Sequence, residues 1–485
     1  MLLTAPVPAK TVPPIVNFSA NVTSGTTPLP VLFTDQSLYA TGWAWYFGDE
    51  TYTAPWTQVS ASSGWSARSG QSSVVLPGGS IMLMGGIEPY PPYYRKNDTW
   101  QSTDNGTTWT LVNASSGWLG RYQHTSVALP DRSIVLMGGW DGSSYFNDTW
   151  RSTDNGATWM LMNASSVWPA RYGLTSVALP DNSIVLMGGS DGTQFYNDVW
   201  QSTDTGATWT QINASAGWTG RHSHTSVALP DGTTIVLMGG IGESYVVDND
   251  VWRSTDKGVM WTEMNWSAEW VARYEHTSVA LPDGSIVLMG GDDVWGNDNE
   301  VWRSMDEGVT WTQVNASPGW MARRLHTSVA LPDGSIVLMG GYTDVFGGMN
   351  DTWRFMPAGS SAQNPSHTYT RPGTYTVSLQ AYNTVGYNNT RKAGYITVFA
   401  HPNVTAISPT SGPTAGGTRV IVTGNGFTGA TAVRFGTTAG THLTVNSSTR
   451  ITITSPAHAA GPVNVMVTTP GGTSAVSTAD RFTYA

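Results

Sequence analysis

The stretch HTSVALPDGSIVLMGG, residues 276–291, decides the fold, because close copies of it recur along most of the chain. A variable loop separates it from NDNEVWRSMDEGVTWTQVNASPGW, residues 297–320, which recurs with it. The first glycine of the Gly-Gly pair appears six times, at intervals of 53, 50, 51, 51 and 50 residues: Gly85, Gly138, Gly188, Gly239, Gly290 and Gly340. A period near 50 residues with this pair and a later Trp indicates a repeat array.

Each repeat predicts four short strands, typified by HTSVALP, SIVLMGG, NDVWRS and TWTQVN, with a tight PDGS turn between the first two. The array opens at Trp56 to Val59, a fourth strand without the other three, and ends at Asp351 to Met356, a third strand without a fourth. We therefore expect a six-bladed β-propeller over residues 56–356. Strand 56–59 should close it by pairing with the strand that contains Trp353.

The repeat as a whole resembles kelch repeats, and one of its turns resembles the Asp-box of sialidase-type propellers. The turn motif is Ser-x-Asp-x-Gly-x-x-Trp, and its five copies begin at Ser102, Ser152, Ser202, Ser254 and Ser304. In such a turn the Asp accepts backbone N–H groups, the Gly takes a positive φ and the Trp covers the turn. Because the copies surround the ring, we interpret them as structural.

The segments on either side of the array resemble the two halves of one PKD domain. Residues 13–50 contain WAWYFGD, and residues 363–399 contain NPSHTY, PGTYTVSL and YITV. The resemblance implies one immunoglobulin-like β-sandwich split by the propeller. Insertion requires the two ends of the guest to lie close together, and closure by strand exchange places them in one blade. Residues 1–12 are predicted to be a Pro-rich leader.

The C-terminal part of the chain, residues 402–485, resembles an IPT/TIG domain. The resemblance is carried by ISPTSGPTAGGT, VTGNGF and VRFG. It implies a second immunoglobulin-like sandwich. The expected fold class is therefore all-β, with a six-bladed propeller and two β-sandwiches.

Composition excludes several partners and several kinds of chemistry. The net charge is −10 and no basic run occurs, so neither nucleic acid nor an anionic membrane is an expected partner. The absence of Cys excludes disulfides and thiolate sites. No stretch of 18 apolar residues occurs and the N-terminal residues lack a signal-peptide core, so we expect no membrane insertion of the chain as given.

Two polar residue types recur before the first strand of the blades. The arginines are Arg68, Arg121, Arg171, Arg221, Arg273 and Arg323, and four of them are followed three residues later by His124, His224, His276 and His326. Six equivalent arginines favour hydrogen bonding to loop carbonyls over an anion clamp. A ring of imidazoles could bind a metal, but the repeated phrase lacks the carboxylates that would normally flank such ligands.

The loops between the second and third strands vary, and they carry the candidate ligand-binding residues. These are Tyr90, Tyr93, Tyr94, Trp140, Tyr145, Tyr245, Trp295 and Tyr342. The loops should share one propeller face with the loops that precede the first strands. Aromatic side chains beside acids and amides suit sugar stacking or protein contact. The alternative is that the rings fold back onto the rim.

Two further sites are predicted from local patterns. Asp292, Asp293 and Asp298 belong to the densest cluster of oxygen ligands and are candidates for Ca²⁺, although EF-hand spacing is absent. No other cofactor is expected. Asparagines in Asn-x-Ser sequons at equivalent places in five repeats are glycosylation candidates, with chance in Ser/Thr-rich turns as the alternative. They are Asn113, Asn163, Asn213, Asn265 and Asn315.

Catalysis is not favoured by the sequence. A galactose-oxidase-type site needs a cysteine-linked Tyr, and no Tyr-Glu pair of the sialidase kind is apparent. The three modules together resemble modular cell-surface proteins of archaea, especially methanogens, and of some bacteria. This resemblance implies a non-enzymatic extracellular structural or adhesion protein that binds glycan or protein through the propeller loops, or self-assembles into an envelope layer or filament. The alternative is a carbohydrate-active enzyme, a glycosidase or lyase, with carboxylates such as Glu88, Glu243, Asp292 or Asp344 on the loop face.

Overall fold

The computed structural model describes residues 12–357 and 359–485, which form β-sheets with a single 3-10 turn at Glu243–Tyr245. The expected all-β fold class is confirmed: the sheets make up a propeller and two sandwiches. The predicted leader lies, apart from Val12, outside the described residues. Within those residues, no helix has the length and apolar character needed to cross a bilayer.

Six antiparallel blades surround one axis in the described part of the chain, and their first strands contact one another in a closed ring. Blade 1 contains Ser72–Val75, Ile81–Met84, Thr99–Ser102 and Thr110–Asn113; blade 2 contains Thr125–Ala128, Ile134–Met137, Thr149–Ser152 and Met160–Asn163; blade 3 contains Thr175–Ala178, Ile184–Met187, Val199–Ser202 and Thr210–Asn213. Blade 4 contains Thr225–Ala228, Ile235–Gly242, Val247–Ser254 and Thr262–Asn265; blade 5 contains Thr277–Ala280, Ile286–Asp293, Gly296–Ser304 and Thr312–Asn315; blade 6 contains Thr327–Ala330, Ile336–Met339, Thr352–Phe355 and Thr57–Ser60. Arg221–His222 adds a short strand to blade 4, and Tyr342–Thr343 pairs with Gly347–Gly348 above blade 6.

The hydrophobic pattern of the repeat follows from packing between blades. The first four residues of the second strand Ile286–Asp293 are fully buried, because this part of the strand is covered by a neighbouring blade on each face. The Trp that precedes each first strand fills the gap between two blades. Trp118, for example, packs edge-on against Trp159 at 6.2 Å in a core shared by blades 1 and 2. The recurrent tryptophans therefore join the blades.

Blade 6 is completed by the strand that begins the array. Thr57–Ser60 pairs antiparallel with Thr352–Phe355, and Gln58 lies opposite Trp353. This is the pairing predicted from the unfinished first and last repeats. Both ends of the propeller consequently lie in one blade.

The first sandwich is built from strands that precede and follow the propeller. One sheet contains Phe18–Ala20, Leu29–Asp35 and Ser366–Tyr369, and the other contains Ser24–Thr26, Tyr387–Phe399, Gly373–Tyr382 and Gly42–Tyr46. Val31 lies opposite His367 and Trp45 lies opposite Leu379. Strands from residues 13–50 and from residues 363–399 are therefore hydrogen-bonded neighbours in both sheets, as the insertion requires.

The C-terminal sandwich follows directly. Its first sheet contains Asn403–Ser408, Arg419–Asn425, Arg450–Thr454 and Thr441–Ser447, and its second contains Ser411–Gly412, Arg481–Tyr484, Gly461–Thr469, Ala432–Phe435, Thr438–Ala439 and Gly472–Thr473. Phe427, Phe435 and Phe482 are fully buried between the sheets. This unit therefore has a hydrophobic core of its own.

The first sandwich packs on the propeller face formed by the turns between first and second strands, here called the turn face. The Tyr46 hydroxyl donates to the Gly334 carbonyl at 3.1 Å, and Ser378 Oγ donates to the Pro282 carbonyl at 2.9 Å. Buried Tyr46 also joins a core with residues of blades 5 and 6. The opposite face carries the loops between second and third strands and is called the loop face. It takes no part in these contacts.

Candidate binding face

The Arg that precedes each first strand is a structural residue beneath the loop face. Arg171 Nη1 donates to Asp198 at 2.6 Å and to the Gly188 carbonyl at 2.9 Å, while Nε donates to the Pro169 carbonyl at 2.9 Å. Asp198 also accepts the indole N–H of Trp200 at 2.8 Å. The other five arginines bind the corresponding glycine carbonyl and an acidic side chain in the same way. A buried guanidinium with its donors satisfied is not available to an anionic ligand.

The four repeated histidines are structural as well. His224 Nε2 shares a hydrogen bond of 3.0 Å with Thr175 Oγ1 of the preceding blade. Burial, followed by the charge of Arg121, lowers the pKa of His124 to about 3. The imidazoles are therefore neutral and join neighbouring blades. In the part of the chain that the structure describes, no three His, Cys, Asp or Glu side chains are grouped so as to hold a metal ion.

Six backbone hydrogen bonds close a ring around the axis just below the loop face. In each blade the residue two positions after the repeated Arg donates its N–H to its counterpart in the preceding blade, at 2.7–3.0 Å, and has a φ of 50–63°. These residues are Gly70, Gln123, Gly173, Ser223, Glu275 and Leu325. Gln123 Nε2 reaches across the axis to Glu275 Oε1 at 3.1 Å and to Ser223 Oγ at 3.2 Å. The side chains of Gln123, Ser223 and Glu275 therefore narrow the opening of the central channel, which runs along the propeller axis, at the loop face.

Glu275 is the most perturbed carboxyl group at this mouth. Its side chain is 13% exposed. Burial raises the pKa of Glu275 to about 7, although Arg324 and the Gln123 amide act in the opposite direction. Arg324 Nε lies 3.6 Å from Glu275 Oε2, and the same guanidinium forms an ion pair with Asp292. The partly exposed guanidinium of Arg324 thus interacts with the carboxyl groups of both Glu275 and Asp292.

Around blades 2 and 3 the aromatic residues of the loop face pack on one another, and we call this region the packed half. Trp140 stacks on Tyr145 at 5.7 Å, and Tyr145 stacks on Tyr172 at 5.4 Å. His222 lies 5.0 Å from Tyr172. The loops are short turns; Asp191 Oδ1, for instance, accepts the Gln194 N–H at 2.7 Å. The candidate residues Trp140 and Tyr145 are therefore half-buried in the rim.

In blades 4 and 5 the equivalent loops are extended hairpins, and with the loop of blade 6 they form what we call the open half. The two hairpins carry Tyr245 and Trp295 at their tips, with the side chains 84% and 87% exposed. A groove of about 500 Å³ lies between them. Its lining includes Tyr245, Tyr274, Asp292, Trp295, Arg324 and Asp344. This is an aromatic and acidic groove with a single Arg at its base.

The exposed aromatic surface continues from blade 6 onto blade 1. The Tyr90 hydroxyl donates to the Phe346 carbonyl at 2.8 Å, which ties the two loops together. Tyr90, Tyr93, Tyr94 and Phe346 are all exposed. Tyr342, by contrast, is half-buried beneath the Arg324 guanidinium, 5.3 Å from its ring centroid. Of the eight candidate residues, five are exposed here and three lie partly within the rim.

Sequence reasoning missed one set of residues on this face. The residue directly after each repeated Arg pairs with the adjacent variable loop; Tyr122 is bridged to Trp140, Tyr274 to Asp292 and Arg324 to Tyr342. Its members are Ser69, Tyr122, Tyr172, His222, Tyr274 and Arg324. The signal was available, because this position varies within an otherwise repeated phrase.

The calcium prediction gains no support from the geometry. Asp292 is paired with Arg324, and Asp293 Oδ1 accepts the N–H of Gly296 within its own turn at 2.9 Å. Asp298 faces Arg273 at 3.3 Å. The three carboxylates are thus engaged with different partners.

The glycosylation candidates have a shared structural role. Asn113 Nδ2 donates to the Ala157 carbonyl of the next blade at 2.8 Å, and its Oδ1 accepts the Ser115 N–H at 2.8 Å. Equivalent contacts occur at Asn163, Asn213, Asn265 and Asn315. Contact between blades is enough to account for the repeated Asn, and glycosylation stays a prediction.

Three family models match parts of the chain. The KLHDC2/KLHL20/DRC7 Kelch-repeats domain matches residues 42–240, the PKD domain matches residues 324–393 and the IPT/TIG domain matches residues 402–484. The chain is modular. The PKD match covers the end of the propeller and the second half of the split sandwich, and domains of all three kinds are typically non-catalytic interaction domains. No curated protein matches the chain.

Proposed function

We propose that this chain is a non-enzymatic extracellular structural or adhesion protein whose loop face binds a surface glycan or a protein. The exposure of Tyr245 and Trp295 at the two hairpin tips carries the proposal. Large aromatic side chains held in water gain free energy when a sugar ring or an apolar partner surface covers them. The open half supplies several such rings beside carboxylates.

The arrangement of the domains favours the same face. The first sandwich occupies part of the turn face through Tyr46, Ser378 and Gln380. A partner approaching the loop face meets no part of that interface. The extracellular location is supported by the resemblance of the modules to archaeal surface proteins.

A carbohydrate-active enzyme is the second candidate, because Glu275 and Asp292 meet at Arg324 beside the groove. A Glu with a pKa of about 7 suits a general acid. The Glu275 carboxyl group is however largely buried and accepts a hydrogen bond from Gln123. A substrate would have to displace that amide, so binding without cleavage is favoured.

A glycan array probed with the full chain tests the proposal. We expect retention of one class of glycan, no release of new reducing ends, and loss of retention in the Tyr245→Ala/Trp295→Ala variant. Trp140→Ala in the packed half serves as the matched control and should retain the glycan. Release of reducing ends would instead establish the enzyme. Retention that survives Tyr245→Ala/Trp295→Ala would show that the open half is not the site.

A further inference from the structure

The C-terminal sandwich differs in charge from the rest of the chain. Residues 402–485 contain four arginines, one Asp and no Lys or Glu, whereas the whole chain has a net charge of −10. The four are Arg419, Arg434, Arg450 and Arg481, and all are exposed. No ion pair of the described residues includes any of them. The C-terminal sandwich is thus a basic unit on an acidic chain.

Two of these arginines stand on one sheet face, here called the arginine face. In adjacent antiparallel strands Arg419 pairs with Thr454, and Thr423 pairs with Arg450. Because residues 419 and 423 have the same parity, Arg419 and Arg450 project from the same side of the sheet, with their Cα atoms about 14 Å apart. A shallow groove of about 390 Å³ lies between them, lined by Arg419, Ile421, Asn446, Arg450 and Thr452. This face presents separated positive charges on an otherwise neutral surface.

The open half of the loop face has the complementary chemistry. Glu243, Asp293 and Asp344 come from the loops of blades 4, 5 and 6, and none belongs to an ion pair of the described residues. Tyr245 and Trp295 stand among them. A guanidinium can pair with a carboxylate and stack on an aromatic ring at the same time, which Lys does less well. Carboxylates beside exposed rings therefore suit an arginine-bearing surface.

We infer that the arginine face of one copy docks on the open half of the loop face of a second copy. This rests on the proposed function, because it names a partner for the same binding surface. The two surfaces differ, so one contact leaves the loop face of one copy and the arginine face of the other copy free. Such a contact propagates into a filament unless its rotation closes a ring.

Sedimentation velocity of the full chain over a range of concentrations tests this inference. Association should be strongest at low salt, because the Debye length shrinks from about 30 Å at 0.01 M to about 3 Å at 1 M ionic strength. We expect species larger than a dimer at low salt and monomer at high salt. A chain that stays monomeric at every concentration and salt level would overturn the inference.

Charge reversal identifies the surfaces. Arg419→Glu/Arg450→Glu and, separately, Glu243→Arg/Asp344→Arg should each weaken association about tenfold or more, because like charges then meet across the contact. An equimolar mixture of the two variants should associate again. The acidic sandwich face of the first variant is complementary to the basic loop face of the second, and the unchanged arginine face of the second is complementary to the unchanged loop face of the first. Arg371→Glu, an exposed site on the first sandwich without an ion pair, is the control and should associate like the parent chain.

Two outcomes separate this inference from the proposed function. If neither reversal weakens association, or if the mixture stays monomeric while both variants remain folded, the assigned contact is wrong. Glycan retention that depends on Trp295 would then still stand. Association abolished by both reversals and restored by mixing supports the contact even when no glycan is retained.

Discussion

The two halves of the loop face are built on the same blades but expose different amounts of aromatic surface. In the packed half, Trp140, Tyr145 and Tyr172 cover one another at centroid distances of 5.4–5.8 Å. In the open half, Tyr245 and Trp295 stand at the ends of hairpins and are almost fully exposed. The strands beneath are equivalent in length and register until the Gly-Gly pair. The loops alone make the difference.

The contrast separates side chains that stabilise the propeller from side chains available to a partner. Rings that already cover one another have lost part of their contact with water in the free protein, so a ligand gains less from covering them. Rings on the hairpin tips keep that contact until a partner arrives. Substitutions in the packed half should therefore lower stability, and substitutions in the open half should lower binding.

The largest expected effect is a loss of stability when the buried Arg beneath either half of the loop face is removed. Arg171 lies beneath the packed half and Arg273 beneath the open half. Arg171→Ala leaves buried Asp198 without its cation, and Arg273→Ala does the same to Glu300, which is partly buried. Both should reduce the free energy of unfolding by about 3–5 kcal/mol. Chemical denaturation monitored by Trp fluorescence measures this loss. If either substitution left the free energy of unfolding nearly unchanged, the repeated Arg would not stabilise the two halves equally.

The next effect distinguishes the halves directly. Tyr172→Ala removes a ring that contacts Trp140, Tyr145 and His222, and should cost about 2–3 kcal/mol of stability. Tyr245→Ala removes an exposed ring and should change stability by less than about 0.5 kcal/mol. Thermal unfolding of the two variants beside the parent chain provides the comparison. Equal losses of stability in the two variants would show that the packed half and the open half do not differ in this way.

A pH effect of the order of 2 kcal/mol is expected from Glu275, whose pKa is raised to about 7 by burial. The folded state holds this proton more tightly than the unfolded state does. Its contribution to stability is therefore full below the ordinary carboxyl pKa and is lost as pH rises through about 7. Glu275→Gln should remove that part of the pH dependence. Urea unfolding of the parent chain and of Glu275→Gln at pH 5 and pH 8 measures this pH dependence. If the free energy of unfolding changed equally in both proteins between the two pH values, Glu275 would have an ordinary carboxyl pKa.

Repetition explains how much of this could be predicted from the sequence. The blades, their closure by strand 56–59 and the structural role of Arg171 and its equivalents follow from copies that must all fit one environment. Trp140 and Trp295 look alike in the sequence, since each is an aromatic residue in an acidic variable loop. Their different exposure depends on whether the loop turns at once or continues as a hairpin. That choice is made by local turn hydrogen bonds, such as those of Asp191, which the spacing does not reveal.

The position directly after each repeated Arg shows the same limit. Tyr172 and His222 follow repeated arginines, and the spacing of the repeat does not place Tyr172 between Tyr145 of the preceding blade and His222 of the following blade. Their contact depends on the rotation between neighbouring blades and on bridges between two loops. In the sequence, the one indication of a different role is that the residue after the repeated Arg varies between blades, whereas the residues around it repeat.

The most direct test compares the two halves in one binding titration. Calorimetry with the glycan best retained on the array would be performed on the parent chain, on Tyr245→Ala/Trp295→Ala and on Trp140→Ala. We predict at least about a tenfold loss of affinity for the open-half variant, corresponding to about 1.4 kcal/mol, and parental affinity for Trp140→Ala. Parental affinity in the open-half variant together with lost affinity in Trp140→Ala would contradict the assignment of the binding surface.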